Sequence, residues 1–302
     1  MDKMRALQYF MKVAETGSYS RAAASFGVPA SSISRLIQSL EAELGASLLH
    51  RTTRVVKITE LGALYLDQVR PAISALTLAD ETIREQPHAP SGRVTMTAQP
   101  GYGGACLVPA LSKLRKQYPD LIIDIELTDQ VSNIASNDVD LAVRSTSEPP
   151  ERSVARKLSD NQFALVASPD YLDRIGIPSH LIDLERHRTL LYRSPKGVLH
   201  WHAKTSGGWQ DVQTLPAFIS NMGQALVDEA LNGVGLALVP EWGVESHLAK
   251  GRLVQVSLQD ATLSVSRNPN LGIYLIYHRP KYRLKKIQVT VDFLISELAE
   301  KK

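Results

Sequence analysis

Cysteine is nearly absent: Cys106 stands alone among 302 residues, which excludes an internal disulfide and suits a reducing compartment. No apolar run approaches the roughly 20 residues a membrane span needs. The N-terminus, Met1-Asp2-Lys3-Met4-Arg5, leads into an amphipathic pattern with Met4, Leu7, Met11 and Ala14 on one face, and not into a signal-peptide core. A cytoplasmic location without a membrane partner is therefore expected. Also missing are G-x-S-x-G, H-E-x-x-H, paired C-x-x-C and G-K-S/T, the marks of common hydrolase, zinc and P-loop chemistry. Gly101-x-Gly103 resembles part of a dinucleotide fingerprint, but its third glycine position is Cys106. His200 and His202 would share one face of a strand with no third ligand, so a solvated pair is expected and no metal. No enzyme activity and no cofactor are expected.

Excess charge is scarce too. The net charge is +3, so affinity for a polyanion must come from local clustering. Such a cluster exists. Met1 to Thr59 holds eight Lys or Arg against four Asp or Glu, whereas Glu60 to Gln86 holds two against five. The basic segment reads as two short helices and a hairpin. Ser18 is an N-cap and a candidate DNA contact, Ala22, Ala23 and Phe26 form an apolar stripe, and Gly27 ends the first helix. A second helix buries Ile33, Ile37, Leu40 and Leu44 at helical spacing and stops at Gly45. Its other face carries Ala30, Ser31, Ser32, Ser34, Arg35 and Gln38, short polar groups with one Arg, suited to phosphates and base edges in a major groove. The stretch Leu49 to Lys57 has three cations and no acid among strand formers, as a wing along a phosphate backbone would; Arg51 and Arg54 are its candidate contacts.

This stretch resembles the LysR-type transcriptional regulators in Phe10, Gly17-Ser18, Ala22-Ala23, Ser34-Arg35, Ile37, Leu40-Glu41, Leu44-Gly45, Leu48, Arg51, Arg54, Thr59 and Gly62. It departs from the family's frequent Ser-Gln-Pro at the start of the recognition helix, where Pro29-Ala30-Ser31 stands here, so base preference at that step is not carried over. The resemblance implies an α/β chain with an N-terminal winged helix-turn-helix (1–59), a linker helix for dimerisation (60–86), a hinge (87–92) and an effector-binding domain (93–302). That last domain would be bilobal and periplasmic-binding-protein-like, with lobe one at about 93–160 plus 268–302 and lobe two at about 161–267. The implied partners are double-stranded DNA, a small effector, a second or further copies of the chain as homodimer or homotetramer, and RNA polymerase.

Residue patterns after Thr59 support an α/β reading independently. Leu66, Val69, Ile73, Leu76 and Ile83 give a seam in a long helix, in which Pro71 predicts a kink. Two prolines and a glycine in Gln86 to Gly92 predict a hinge. Strands are expected at Val94 to Ala98, Leu121 to Leu127, Val139 to Val143, Phe163 to Ala167, Thr189 to Tyr192, Val234 to Val239 and Ile273 to Tyr277. Helices are expected around Leu107 to Leu114, around Ile134, and at Pro169 to Ile175, Gly223 to Leu231 and Val289 to Leu298. The alternation implies a mostly parallel sheet in each of two lobes. Ligands of such sheets sit beyond the strands' carboxyl ends. Gln99, Gly101, Tyr102, Gly103, Thr128, Arg144, Asn221 and Met222 lie there. Helix N-termini at Gly101 to Gly104 and after Asn221, with Arg144 as a bidentate clamp, predict an anionic effector; the family resemblance implies a carboxylate or aromatic metabolite. Cys106 reads as a small buried side chain more readily than as a redox sensor, and Lys281 to Lys286 as a surface run. The competing view is an enzyme or solute-binding module with an accessory helical head.

Overall fold

A computed structural model describes residues 2–51, 56–84, 89–130, 139–151 and 153–299. Two compact units emerge, one of Met1–Gln86 and one taking Pro87–Ile134 with Asp138–Lys302.

The first unit runs α1 (Lys3–Thr16), α2 (Tyr19–Phe26), α3 (Ala30–Leu44), β1 (Leu49–Arg51), β2 (Val56–Ile58) and α4 (Glu60–Arg84). Side-chain oxygens of Asp2 and Ser18 accept from the amides of Arg5 and Arg21 and open α1 and α2. Gly17, Gly27 and Gly45, at φ 64°, 63° and 63°, close the three helices in the left-handed region. Ala6, Leu7, Tyr9, Phe10 and Val13 of α1 pack on Ala22, Ala23, Ile33, Ile37 and Leu40. The buried face of α1 is thus rotated from the one expected: Met4 and Met11 lie at its margin, because Tyr9 and Phe10 bury more apolar area. Thr59 Oγ1 accepts from the Gly62 amide and donates to the Ser47 carbonyl, both at 2.8 Å. Gly62 has no room for a side chain, since a Cβ would lie 2.1 Å from the Leu48 carbonyl oxygen.

The helix α4 runs continuously through Pro71. The expected seam is divided. Leu66, Val69 and Ile73 join Tyr65 against the head core, while Leu76 and Ile83 are exposed. The expected hinge falls partly on 85–88, outside the described residues.

The second unit continues with β3 (Gly92–Ala98), α5 (Pro100–Tyr102), a five-residue π turn (Gly103–Leu107), α6 (Val108–Gln117), β4 (Leu121–Leu127), β5 (Leu141–Thr146), β6 (Val154–Asp160) and β7 (Phe163–Ala167). Then come α7 (Pro169–Ile175), β8 (Arg188–Ser194), β9 (Gly197–Val198), β10 (His202–Thr205), β11 (Gly208–Asp211) and β12 (Leu215–Ser220). The chain ends with α8 (Gly223–Leu231), β13 (Leu236–Pro240), α9 (Glu245–Ala249), β14 (Val254–Val256), β15 (Thr262–Ser264), β16 (Gly272–Tyr277) and α10 (Lys285–Leu298). One sheet has the order β4-β3-β5-β16-β6 and the other β12-β8-β13-β7-β14.

Neither sheet is mostly parallel. In the first, β3 pairs parallel with β4 and β5, but β16 pairs antiparallel with β5 and β6. In the second, β8 pairs parallel with β12 and β13, and β7 antiparallel with β13 and β14. The chain leaves lobe one between β6 and β7 and returns between β15 and β16, and a strand entered by crossing between lobes needs no right-handed helical crossover. A third sheet, β11-β10-β15, was not anticipated. Its register joins Thr205 to Gly208, so Ser206-Gly207 is a two-residue hairpin turn that the sequence did signal. The helix expected around Ile134 lies outside the described residues.

Candidate nucleic-acid interface and ligand cleft

In the head, α3 buries Ile33, Ile37 and Leu40 and leaves Ser31, Arg35 and Gln38 exposed, with Ala30, Ser32 and Ser34 half-buried beside them. The amphipathic stripe alone fixes that orientation. Glu41 adds a link the sequence signature did not explain. Its Oε1 accepts from the amides of Leu48 at 2.8 Å and Leu49 at 3.1 Å, tying α3 to the start of the hairpin. The wing is antiparallel, with His50 opposite Lys57 and Arg51 opposite Val56, and the Val56 amide donates to the Gly17 carbonyl at 3.3 Å. Arg51 lies on β1, whereas the wing tip with Arg54 is outside the described residues. The Oγ of Ser18 is engaged at 3.3 Å in capping α2, so its structural work is to hold that helix.

In the second unit the predicted site residues lie at strand ends, and side-chain polar atoms of Gln99, Thr128 and Arg144 already have partners. Gln99 Oε1 accepts from the Ser145 amide at 2.8 Å. Thr128 Oγ1 accepts from the Gln130 amide at 3.2 Å. Arg144 donates from Nη1 to the Val143 carbonyl at 3.0 Å, and from Nη2 to Thr97 Oγ1 at 2.7 Å and the Gln130 carbonyl at 3.2 Å. Three of the guanidinium's five N–H groups are thus spent on neutral oxygens, so the fork is not open for a bidentate grip. Burial lowers the Arg144 pKa, opposed by the nearby carboxylates of Asp129 and Glu126.

The glycine turn also differs from the loop expected. It is helical from Pro100 onward, and the Gly103 amide donates to the Gln99 carbonyl at 2.8 Å, which removes one of the amides assigned to an anion. Packing explains the glycines. A Cβ at Gly101 would meet the Trp242 ring at 3.1 Å, and one at Gly103 would meet Leu127 Cδ2 at 2.4 Å. Tyr102 is buried edge-on against Trp242 at 5.4 Å, and burial pushes its phenol pKa up. On the other lobe, Asn221 and Met222 are exposed at the start of α8.

Three polar contacts here were not anticipated. Tyr192 donates to Asp129 Oδ2 at 2.7 Å, joining the end of β8 to the loop after β4 and so bridging the lobes. Asn161, buried in the first crossover, accepts from Trp242 Nε1 at 3.0 Å and donates to Ser145 Oγ at 2.8 Å. Both Asp129 and Tyr192 sit at strand ends, the one signal the sequence offered.

Elsewhere, Lys281 is not part of a surface run. It is buried, donating to Asp140 Oδ1 at 2.8 Å and the Val139 carbonyl at 3.1 Å. Cys106 is half-buried, and its thiol is pushed up to about 11 by burial and by Glu245, against the behaviour of a sensor thiolate. His202 faces Asp211 at 2.7 Å and Arg267, and no cluster of three metal-binding side chains occurs among the described residues. Among those residues, too, no helix is long and apolar enough to cross a membrane.

Residues 4–63 match the bacterial regulatory helix-turn-helix protein family of lysR type, and residues 87–299 match the LysR substrate binding domain. The chain is 30% identical to an uncharacterized HTH-type transcriptional regulator, YhjC of Escherichia coli, over 99% of both chains. It is 29% identical to the transcriptional activator TtdR of the same species over 95% of this chain and 91% of the other. The full-length structure of the Vibrio cholerae virulence activator AphB is similar at a TM-score of 0.64 and 26% identity, covering 97% of this chain and 99% of that one. With a DNA-binding head at one end and an effector-binding domain at the other, this chain belongs to the LysR family of transcriptional regulators.

Proposed function

We propose that the protein reads double-stranded DNA with Ala30, Ser31, Ser32, Ser34, Arg35 and Gln38 of α3, positioned by Ser18, and holds the backbone with Arg51 and Arg54. The observation that carries this reading is the exposure of Ser31, Arg35 and Gln38 opposite the buried Ile33, Ile37 and Leu40. Two copies, or four, assemble through the outer half of α4, where Leu76 and Ile83 are exposed. The protein works in the cytoplasm, without catalysis of its own, and its response is delivered to RNA polymerase. A gel shift on its own promoter region with a salt titration tests the DNA half. Specific retardation that weakens linearly in log salt is expected; a footprint without sequence preference would favour a solute-binding or catalytic role.

The effector is a small anion held between the lobes by Arg144 and Thr128 from one side and Asn221 and Met222 from the other. Gln99, Gly101, Tyr102 and Gly103 shape the floor of that site. Arg144→Ala and Asn221→Ala should remove the effector response in a promoter-reporter assay while effector-free DNA binding stays intact. A full response in both variants would sink the assignment.

A further inference from the structure

The site proposed above contains a carboxylate that opposes its own ligand. Asp129 follows Thr128 at the end of β4 and is close enough to Arg144 for its charge to act on that guanidinium. The Arg144 side chain grips the Gln130 carbonyl, one residue further along, at 3.2 Å. No ion pair joins Arg144 to a carboxylate among the described residues, and Asp129 Oδ2 accepts the Tyr192 hydroxyl at 2.7 Å from the other lobe. Burial and Asp129 together raise the Tyr192 pKa, so the phenol keeps the proton it donates.

We propose that Asp129 and Tyr192 form the latch of the effector response: their hydrogen bond fixes the lobe angle in the free protein, and an anion arriving at Arg144 breaks it. The proposal rests on the reading of the cleft as an anion site. An anion beside Arg144 stands next to the Asp129 carboxylate, and two like charges in a partly buried site repel strongly. Asp129 must move, and its movement costs the bond to Tyr192. Ligand entry is thereby coupled to lobe release with no direct contact between ligand and Tyr192. The same carboxylate sets specificity, since it selects against an anion too weakly held to displace it.

Two measurements on the full-length protein test this. Tyr192→Phe deletes only the hydroxyl. Amide exchange around Thr128 to Gln130 should speed up about tenfold or more without ligand, as expected for a lost hydrogen bond to a charged acceptor. Unchanged exchange overturns the latch. Asp129→Asn keeps an acceptor for Tyr192 but removes the charge. Sodium succinate, used as a plain dianion, should then bind at least fivefold more tightly than to the unmodified chain, read by thermal shift. Equal binding, or none to Asp129→Asn, overturns the opposing role of Asp129. Succinate binding that survives Arg144→Ala in the Asp129→Asn background overturns the anion site itself, which separates the two failures.

Discussion

The α3 face and the strand ends of the second unit both carry polar side chains, yet they stand in opposite states. Ser31, Arg35 and Gln38 of α3 point to solvent, whereas Gln99, Thr128 and Arg144 are engaged by neighbouring strands and loops. A surface of the first kind can bind with little rearrangement, so its residues act directly on affinity. One of the second kind must exchange internal bonds for bonds to a ligand. It yields less net affinity, and the exchange is what transmits a signal. Under the proposed function, that difference would let one chain hold both a reader and a switch.

The largest test of the contrast lies on the engaged side. Lys281→Ala would leave Asp140 buried without its cation, at side-chain exposures of 10% and 15% for the pair. A loss of about 3–5 kcal/mol in urea unfolding of the second unit is expected, and a loss under 1 kcal/mol would mean that water reaches Asp140. On the exposed side, Arg35→Ala should leave stability unchanged and weaken specific DNA binding by about 1–3 kcal/mol. A variant with full affinity and sequence preference would show that α3 is not the reader. Glu41→Ala tests a mixed case, since it removes the acceptor for two wing amides. It should cost about 1–2 kcal/mol of head stability, and DNA affinity should fall through displacement of the wing. Calorimetry alongside gel shift separates the two effects. Cys106 gives the smallest effect. Its alkylation by iodoacetamide should stay slow through pH 9 and rise toward pH 11, because burial keeps the thiol protonated. Fast reaction at pH 8 would reopen a redox role.

The head was legible because its signals are local. Ser18, Gly27, Gly45 and the Ile33-Ile37-Leu40 stripe each determine one feature within a few residues. In the second unit, Leu121–Leu127, Phe163–Ala167, Pro169–Ile175 and Gly223–Leu231 fall where the pattern placed them. What could not be read are pairings over long separations. Lys281 looks like one cation in a basic run until Asp140, 141 residues away, is brought beside it. Strand direction failed for the same reason, since β16 pairs with β5 and β6 only after the chain has returned from the other lobe. In the cleft, exposure was inferred from strand-end position, but Trp242 fills the space at Gly101, and nothing near Gly101 in the sequence announces Trp242.

If two copies pair through the outer half of α4 as proposed, the division of that helix gives the assembly a ruler. Its first half is cemented to the head by Leu66, Val69 and Ile73, and its 25 residues span about 37 Å at the rise of an α-helix. That length is close to one turn of B-form DNA, about 34–36 Å between half-site centres. A second copy lying along the outer half would therefore be set off by a rigid distance and not by a flexible tether. Under that pairing, operators whose half-sites are moved by half a turn should lose the second contact.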